Sequence, residues 1–245
     1  MKPSDKEHSV RRGILGGTFN PIHLGHLRGA EEARERLDLD EICFVPAAIP
    51  PHKNQRIEVS ASHRLEIVQL AIKDNPAFSV SDVELRREGK SYSVETIRYF
   101  LREDPEAELF FIVGLDSFLE ITTWKKYEDI FSLCHLVVLS RPGVERCELT
   151  DLTPREFWTA FHPGKNSDHW IHGPSGHSID FLDRPFMDIS SSEIRQRIRR
   201  GKSIRYMMPE RVEAYVLDKR CYRGAMSGDR SQKSEVRRKK TGDRN

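Results

Sequence analysis

No stretch of the 245 residues stays apolar for the roughly 20 positions that a membrane-spanning helix needs, so a protein of that kind is excluded. An apolar leader is missing too. The opening segment, MKPSDKEHSVRR, is polar and runs straight into a short apolar stretch, which predicts a cytoplasmic address. Cysteine is scarce: Cys43, Cys134, Cys147 and Cys221 lie far apart, with no C-x-x-C pair. Neither a disulfide framework nor a zinc ribbon is expected, only four reduced thiols. Strong net charge is also absent, at +2 overall, but residues 223–245 carry eight Lys or Arg against three acids, a net of +5 that leaves the rest at about −3. That tail has no aromatic residue and is expected to be disordered. It suits at most non-specific contact with nucleic acid, and no specific nucleic-acid partner is expected.

What is present is a globular composition, 37% hydrophobic and 32% charged. The length fits one sizeable α/β domain, expected over residues 11–222 after a flexible segment 1–10. Apolar runs at 11–17, 41–47, 109–114, 135–139 and 178–183 read as strands, and 78–85 alternates like a half-buried one. Helical patterns fill 26–37, a segment capped by Ser60 or Ser62, 93–102, most of 115–131, 190–200 and 209–219. Alternation of strand and helix predicts a Rossmann-like, doubly wound parallel sheet with helices on both faces and a small helical C-terminal part. Residues 144–177 show no period and read as an irregular excursion around a short helix near 155–161. Its histidines, His162, His169, His172 and His177, are spaced too irregularly for a metal site and fit a surface loop.

The first strand ends in an unusual way: GILGGTFNPIHLGHLRGAEEARERL. Gly16 and Gly17 let backbone N–H groups approach an anion, Thr18 adds a hydroxyl, and His23 and His26 flank the start of a helix whose dipole favours negative charge. Phosphate binding fits this pattern; metal ligation or plain helix capping by the two histidines are the alternatives. The stretch matches neither G-x-G-x-x-G nor the lysine-containing P-loop, which counts against hydride transfer and P-loop hydrolysis. A second segment, ISSSEIRQRIRRG, sets three serines and Arg195 at the start of another helix, where hydroxyls, free N–H groups and a guanidinium can converge on a polyanion. The competing reading is a serine cap before a basic surface helix.

These segments resemble a family. The H-x-G-H of GGTFNPIHLGH and the segment ISSSEIR are similar to the two signatures of the H-x-G-H nucleotidyltransferase superfamily. With PPHK (50–53), SYS (91–93), GLDSF (114–118), TTW (122–124) and SRPG (140–143), the chain resembles the bacterial nicotinate-nucleotide adenylyltransferases over about 12–222. Two departures are mild: Asn20 stands where aspartate is also common, and Ser192 replaces a threonine.

The resemblance implies adenylyl transfer from ATP to nicotinate mononucleotide. On it, Gly16, Gly17, Thr18 and Phe19 wrap the nucleotide phosphates, and His23 and His26 contact those around the reacting phosphorus. Ser191, Ser192 and Arg195 hold the departing pyrophosphate; Gly114 and Asp116 face the adenosine. Lys53 lies near the mononucleotide phosphate, and Tyr92, Ser93 and Trp124 form the nicotinate pocket. Mg²⁺ is implied as a cofactor held mainly by substrate phosphates, with no protein metal site. Taken without the resemblance, Trp124 is as well explained by core packing, Tyr92 with Ser93 by a helix cap, and Lys53 as an exposed loop lysine. Competing functions are another superfamily enzyme, using nicotinamide mononucleotide, phosphopantetheine or a cytidylyl donor, and a nucleic-acid-binding protein using the tail with Arg197, Arg199 and Arg200. The sequence leaves the oligomeric state open, a homo-oligomer included. The enzyme reading requires both signature segments to fold into one cradle.

Overall fold

The computed structural model describes residues 9–50, 58–140, 143, 149, 152–182 and 187–223. Lys53, Cys147 and the basic tail beyond residue 223 lie outside them. Eight strands form one sheet: β1 (Arg11–Gly17), β2 (Glu41–Pro46), β3 (Phe78–Val80), β4 (Glu108–Gly114), β5 (His135–Leu139), β6 (Phe161–Pro163), β7 (His169–His172) and β8 (Ser178–Leu182). Their order is β3-β2-β1-β4-β5-β8-β7-β6. The first six in that order pair in parallel, and β7 and β6 are antiparallel additions. The expected doubly wound parallel sheet is present, and β1 is its switch strand, paired on one side with β2 and on the other with β4.

Both faces of the sheet are covered, which is why its strands read as continuous apolar runs. Alternate residues go to opposite sides. Ile42, Phe44, Phe110 and Ile112 pack with residues of α1 (Leu24–Arg36), α2 (Ala61–Ile72), α8 (Ser191–Arg199) and α9 (Glu210–Asp218). Cys43, Val45, Phe111 and Val113 pack with residues of α4 (Ser93–Glu103), α5 (Leu115–Leu119) and α6 (Tyr127–Leu133). The thiols of Cys43 and Cys134 are buried and pushed up to about 11 and about 12, so they behave as small apolar side chains.

Two local expectations differ from the structure. Residues 78–85 are not one strand: β3 stops at Val80, and a single turn, α3 (Val83–Arg86), follows. The alternation is interrupted because Glu84 turns inward to accept a hydrogen bond from Thr96 Oγ1 at 2.5 Å. The segment read as irregular at 144–177 contains the expected short helix, α7 (Arg155–Trp158), but also the unexpected hairpin β6–β7. Strands of three and four residues, rich in His and Pro, are too short to show a period.

The histidines read as a surface loop are in part strand residues: in β7, His169 Nδ1 lies 2.7 Å from Asp180 Oδ1 and His172 is buried, while His177, after β7, lies at the sheet end opposite the strand exits. His135, first residue of β5, accepts the backbone N–H of Ser178 on Nδ1 at 2.9 Å, and its Nε2 lies 3.1 Å from Glu108 Oε1. The ring stacks on Phe110 and meets His177 edge-on at 4.9 Å. Burial, with the neighbouring His177, lowers its pKa to about 4. Since the unfolded imidazole titrates near its ordinary value, the unfolded chain takes up the extra proton between these values, and stability falls with falling pH there. Denaturant midpoints measured from pH 7 to pH 4.5 are expected to decline, with His135 contributing at most on the order of 3 kcal/mol. His135→Gln should flatten that decline; an unchanged slope would contradict the assignment.

Candidate active site

Ligands in open α/β sheets bind where the chain's connections reverse direction, outside the carboxyl ends of the strands. In this sheet that place is the exit of β1 and β4, and both strands end in glycine there, Gly16 and Gly17 on one and Gly114 on the other. A cleft opens at this point. Gly16, Gly17, Thr18, Tyr92, Ser93, Gly114 and Trp124, seven residues singled out from the sequence, line it.

After Gly17 the chain makes a tight loop. Phe19 takes a left-handed backbone (φ 44°) and buries its ring under the loop, where a Cβ on Gly17 would come within 2.9 Å of it. His23 then caps α1 in an extended conformation, and His26 is the third residue of the helix. The His23 backbone N–H donates to His26 Nδ1 at 3.3 Å. With Nδ1 accepting, the neutral His26 ring carries its proton on Nε2, which is then a donor. The two imidazoles lie 3.8 Å apart between centroids, and Phe19 meets His26 edge-on at 5.4 Å. Gly25 keeps this corner tight: a Cβ there would lie 3.1 Å from the His23 ring and 3.4 Å from the Met187 carbonyl.

The second segment is tied directly to this loop. Each serine of the 190–192 run has a separate task. Ser190 caps α8 by accepting the Glu193 N–H at 3.1 Å, and Ser191 Oγ donates to the Pro21 carbonyl at 2.8 Å. Ser192 Oγ accepts from Arg195 at 3.2 Å. Arg195 also donates to the Asn20 carbonyl at 2.8 Å. The guanidinium therefore sits beside the histidine loop with further N–H donors to offer an anion. The starts of α1 and α8 converge, and both helix dipoles favour negative charge there. The two signature segments are thus in direct contact, while the described lining of the cleft includes neither histidine nor Arg195.

On the far wall, Tyr92 caps α4 and Ser93 is its first residue. Trp124 stands half-buried with its ring edge-on to Phe111 at 6.4 Å, so it both packs on the core and lines the cleft. Asp116 is exposed just past Gly114 and folds back so closely that a Cβ there would lie 2.7 Å from its Oδ1. Among the described residues no group of three or more His, Cys, Asp or Glu is gathered as a metal site.

Three residues of the site carried no sequence signal strong enough to single out. Arg64 on α2 is only 1% exposed and donates to the carbonyls of Thr18 at 2.7 Å and Ala48 at 3.3 Å, pinning the glycine loop to the chain leaving β2. A lone arginine inside an amphipathic helix looks like surface. Glu84 lines the cleft while buried; burial raises its carboxyl above the usual range, against the hydroxyls of Thr96 and Ser91. Lys125 lines it too, with Nζ 4.5 Å from the centre of the Tyr92 ring.

Fold and cleft together define an α/β protein with an open cleft at the switch point of its sheet. A family model described as Cytidylyltransferase-like matches residues 14–197. Curated relatives include proteins named "Probable nicotinate-nucleotide adenylyltransferase". The one from Geobacter sp. (strain M21) is 48% identical over 217 residues, covering 87% of this chain and 98% of the relative. That from Geotalea daltonii is 49% identical over 213 residues, with the same coverage of 87% and 98%. Among solved structures, the Plasmodium falciparum nicotinic acid mononucleotide adenylyltransferase complexed with NaAD aligns with a TM-score of 0.67 at 16% identity, over 88% of this chain and 98% of that one. The chain belongs to the cytidylyltransferase-like family, and within it to the branch of relatives named nicotinate-nucleotide adenylyltransferases.

Removing the Arg64 guanidinium leaves two loop carbonyls without their donor. Arg64→Met is expected to cost about 2–4 kcal/mol, lowering the thermal midpoint by at least about 5 °C and weakening ATP binding. Calorimetry of the variant with and without ATP checks both; an unchanged midpoint and affinity would remove Arg64 from this role.

Proposed function

We propose that the protein transfers the adenylyl group of ATP to nicotinate mononucleotide, forming nicotinate adenine dinucleotide and pyrophosphate, a step of NAD biosynthesis. The observation that carries this reading is the direct bond between the two signature segments, Arg195 to the Asn20 carbonyl at 2.8 Å, at the glycine exits of β1 and β4. The names of the relatives, at 48% and 49% identity, support the choice of substrate.

The acceptor's 5'-phosphate is ionised near neutral pH and needs no base. Its oxygen attacks the α-phosphorus of ATP in line, the new P–O bond forms, and the bond to the β-phosphate oxygen breaks. Catalysis is then positioning and charge stabilisation. The N–H groups after Gly16 and Gly17, with the Thr18 hydroxyl, hold the phosphates. His23 and His26 donate to oxygens that gain charge in the transition state. Arg195, with Ser191 and Ser192 at the start of α8, neutralises the departing pyrophosphate. Asp116 and Gly114 face the adenosine, the former as a ribose contact. Mg²⁺ would supply charge compensation for the triphosphate, and few protein ligands would be needed to hold it, which suits a cleft lined by glycine N–H groups and hydroxyls.

The acceptor's ring enters between Trp124 and Tyr92, where stacking on the indole orients it, and the Ser93 end of α4 receives its carboxylate. Lys53, outside the described residues, is assigned to the mononucleotide phosphate. In this reading residues 11–222 are the catalytic domain, working in the cytoplasm, and the tail beyond is dispensable. No helix among the described residues is long and apolar enough to cross a membrane.

Pyrophosphate release with ATP, Mg²⁺ and each candidate acceptor in turn tests the assignment, nicotinate mononucleotide being the preferred one. His26→Ala is expected to lower turnover about 10²-fold or more, as loss of one transition-state donor does, while leaving the thermal midpoint nearly unchanged. Near-normal turnover in that variant would refute the role of His26.

A further inference from the structure

A ring carboxylate and a ring carboxamide have nearly the same size and shape. Both offer an oxygen to a single backbone N–H or hydroxyl; they differ at the second atom, an accepting oxygen in the acid and a donating NH₂ in the amide. They differ also in formal charge, which a nearby cation can read. Of the described residues lining the cleft around Tyr92 and Trp124, two carry an amine or carboxyl side chain, Lys125 and Glu84.

Glu84 works against an anionic ligand only as far as its own charge is expressed. It is 6% exposed, accepts from Thr96 Oγ1 at 2.5 Å, and sits by Ser91, whose Oγ in turn accepts the Ala48 N–H at 2.9 Å. Burial disfavours its ionised form, and the hydroxyls disperse what charge remains.

Lys125 is placed differently. It follows Trp124 directly, and its ammonium is seated over the face of Tyr92, itself a wall of the cleft, at 4.5 Å from the ring centre. That cation–π contact holds the charge at the pocket rim. Its ionic neighbour is Glu95 on the first turn of α4, with Nζ 3.4 Å from Oε1 and a lysine side chain 44% exposed. An ion pair so open to water is weak and exchanges easily for another carboxylate.

We infer that Lys125 is a specificity-determining residue, which selects an acceptor bearing a ring carboxylate over its amide by trading Glu95 for the substrate's carboxylate as the cleft fills. The inference rests on the functional reading above.

The test compares kcat/KM for nicotinate mononucleotide and nicotinamide mononucleotide in the full-length enzyme, Lys125→Gln and Lys125→Arg. Lys125→Gln should lower the value for the nicotinate form about 5- to 10-fold, mainly through KM, and leave the nicotinamide form within about 2-fold. Lys125→Arg should keep the wild-type ratio. Because the side chain is at the surface, thermal midpoints should match wild type. Activity with an unmoved ratio in Lys125→Gln, or an equal loss for both acceptors, overturns this inference alone. If the unmodified enzyme consumes neither acceptor, the adenylyl-transfer reading falls and takes the inference with it.

Discussion

Two carbonyl oxygens, those of Asn20 and Pro21, accept side-chain hydrogen bonds from the start of α8, some 170 residues further along the chain. Arg195 and Ser191 supply them, and through these contacts the loop after β1 and the start of α8 become one object. Neither segment is an anion site of the same quality alone. The glycine loop offers N–H groups and imidazoles but no permanent charge; α8 offers a guanidinium but no concave backbone. Joined by these bonds, they hold their donors in fixed positions relative to one another, which is the condition for electrostatic stabilisation without reorganisation. The rest of the fold serves to keep the two pieces in register. The sheet fixes the exit of β1, Arg64 pins the loop to the chain leaving β2, and the Met207 carbonyl accepts the first N–H of α1 at 3.0 Å.

Much of this was legible in the sequence because chemistry at a switch point leaves local traces. Glycine at strand exits, histidines around a helix start and a serine run before an arginine each have a physical reason to stand where they do, and the structure brings them to one end of the sheet. The parts that were not legible are those whose meaning depends on distant partners. Arg64 looks like any arginine of an amphipathic helix until α2 packs and turns it toward Thr18 and Ala48. Glu84 sits in an alternating stretch that satisfies a strand as well as a turn, and only Thr96, twelve positions on, decides between them. The hairpin β6–β7 is too short to have a period of its own; it exists because β8 offers it an edge.

The cleft also divides its labour by charge. In the proposed function, phosphate chemistry falls to the β1 loop and α8, which are positive by helix dipole and guanidinium. The opposite wall, around Tyr92, Ser93 and Trp124, is aromatic and hydroxylic, suited to a flat ring with a polar substituent. Glu84 ties that wall to the chain after β2 through Ser91, whose Oγ lies against Ala48 N and whose own N–H reaches the Ile49 carbonyl at 2.9 Å. The walls are therefore linked at two depths, by Arg64 beneath the loop and by Ser91 beside it, and both links converge on Ala48.

The ends of the strand order carry a consequence for how copies of the chain behave toward one another. Both outermost strands, β3 and β6, are three residues long, and β6 closes with Pro163, which has no amide hydrogen to offer. A broad, mostly parallel sheet would ordinarily expose a long ladder of unsatisfied amides along its flanks. Here each flank tapers to almost nothing. Among the described residues, neither edge of the sheet presents a long template for intermolecular strand addition.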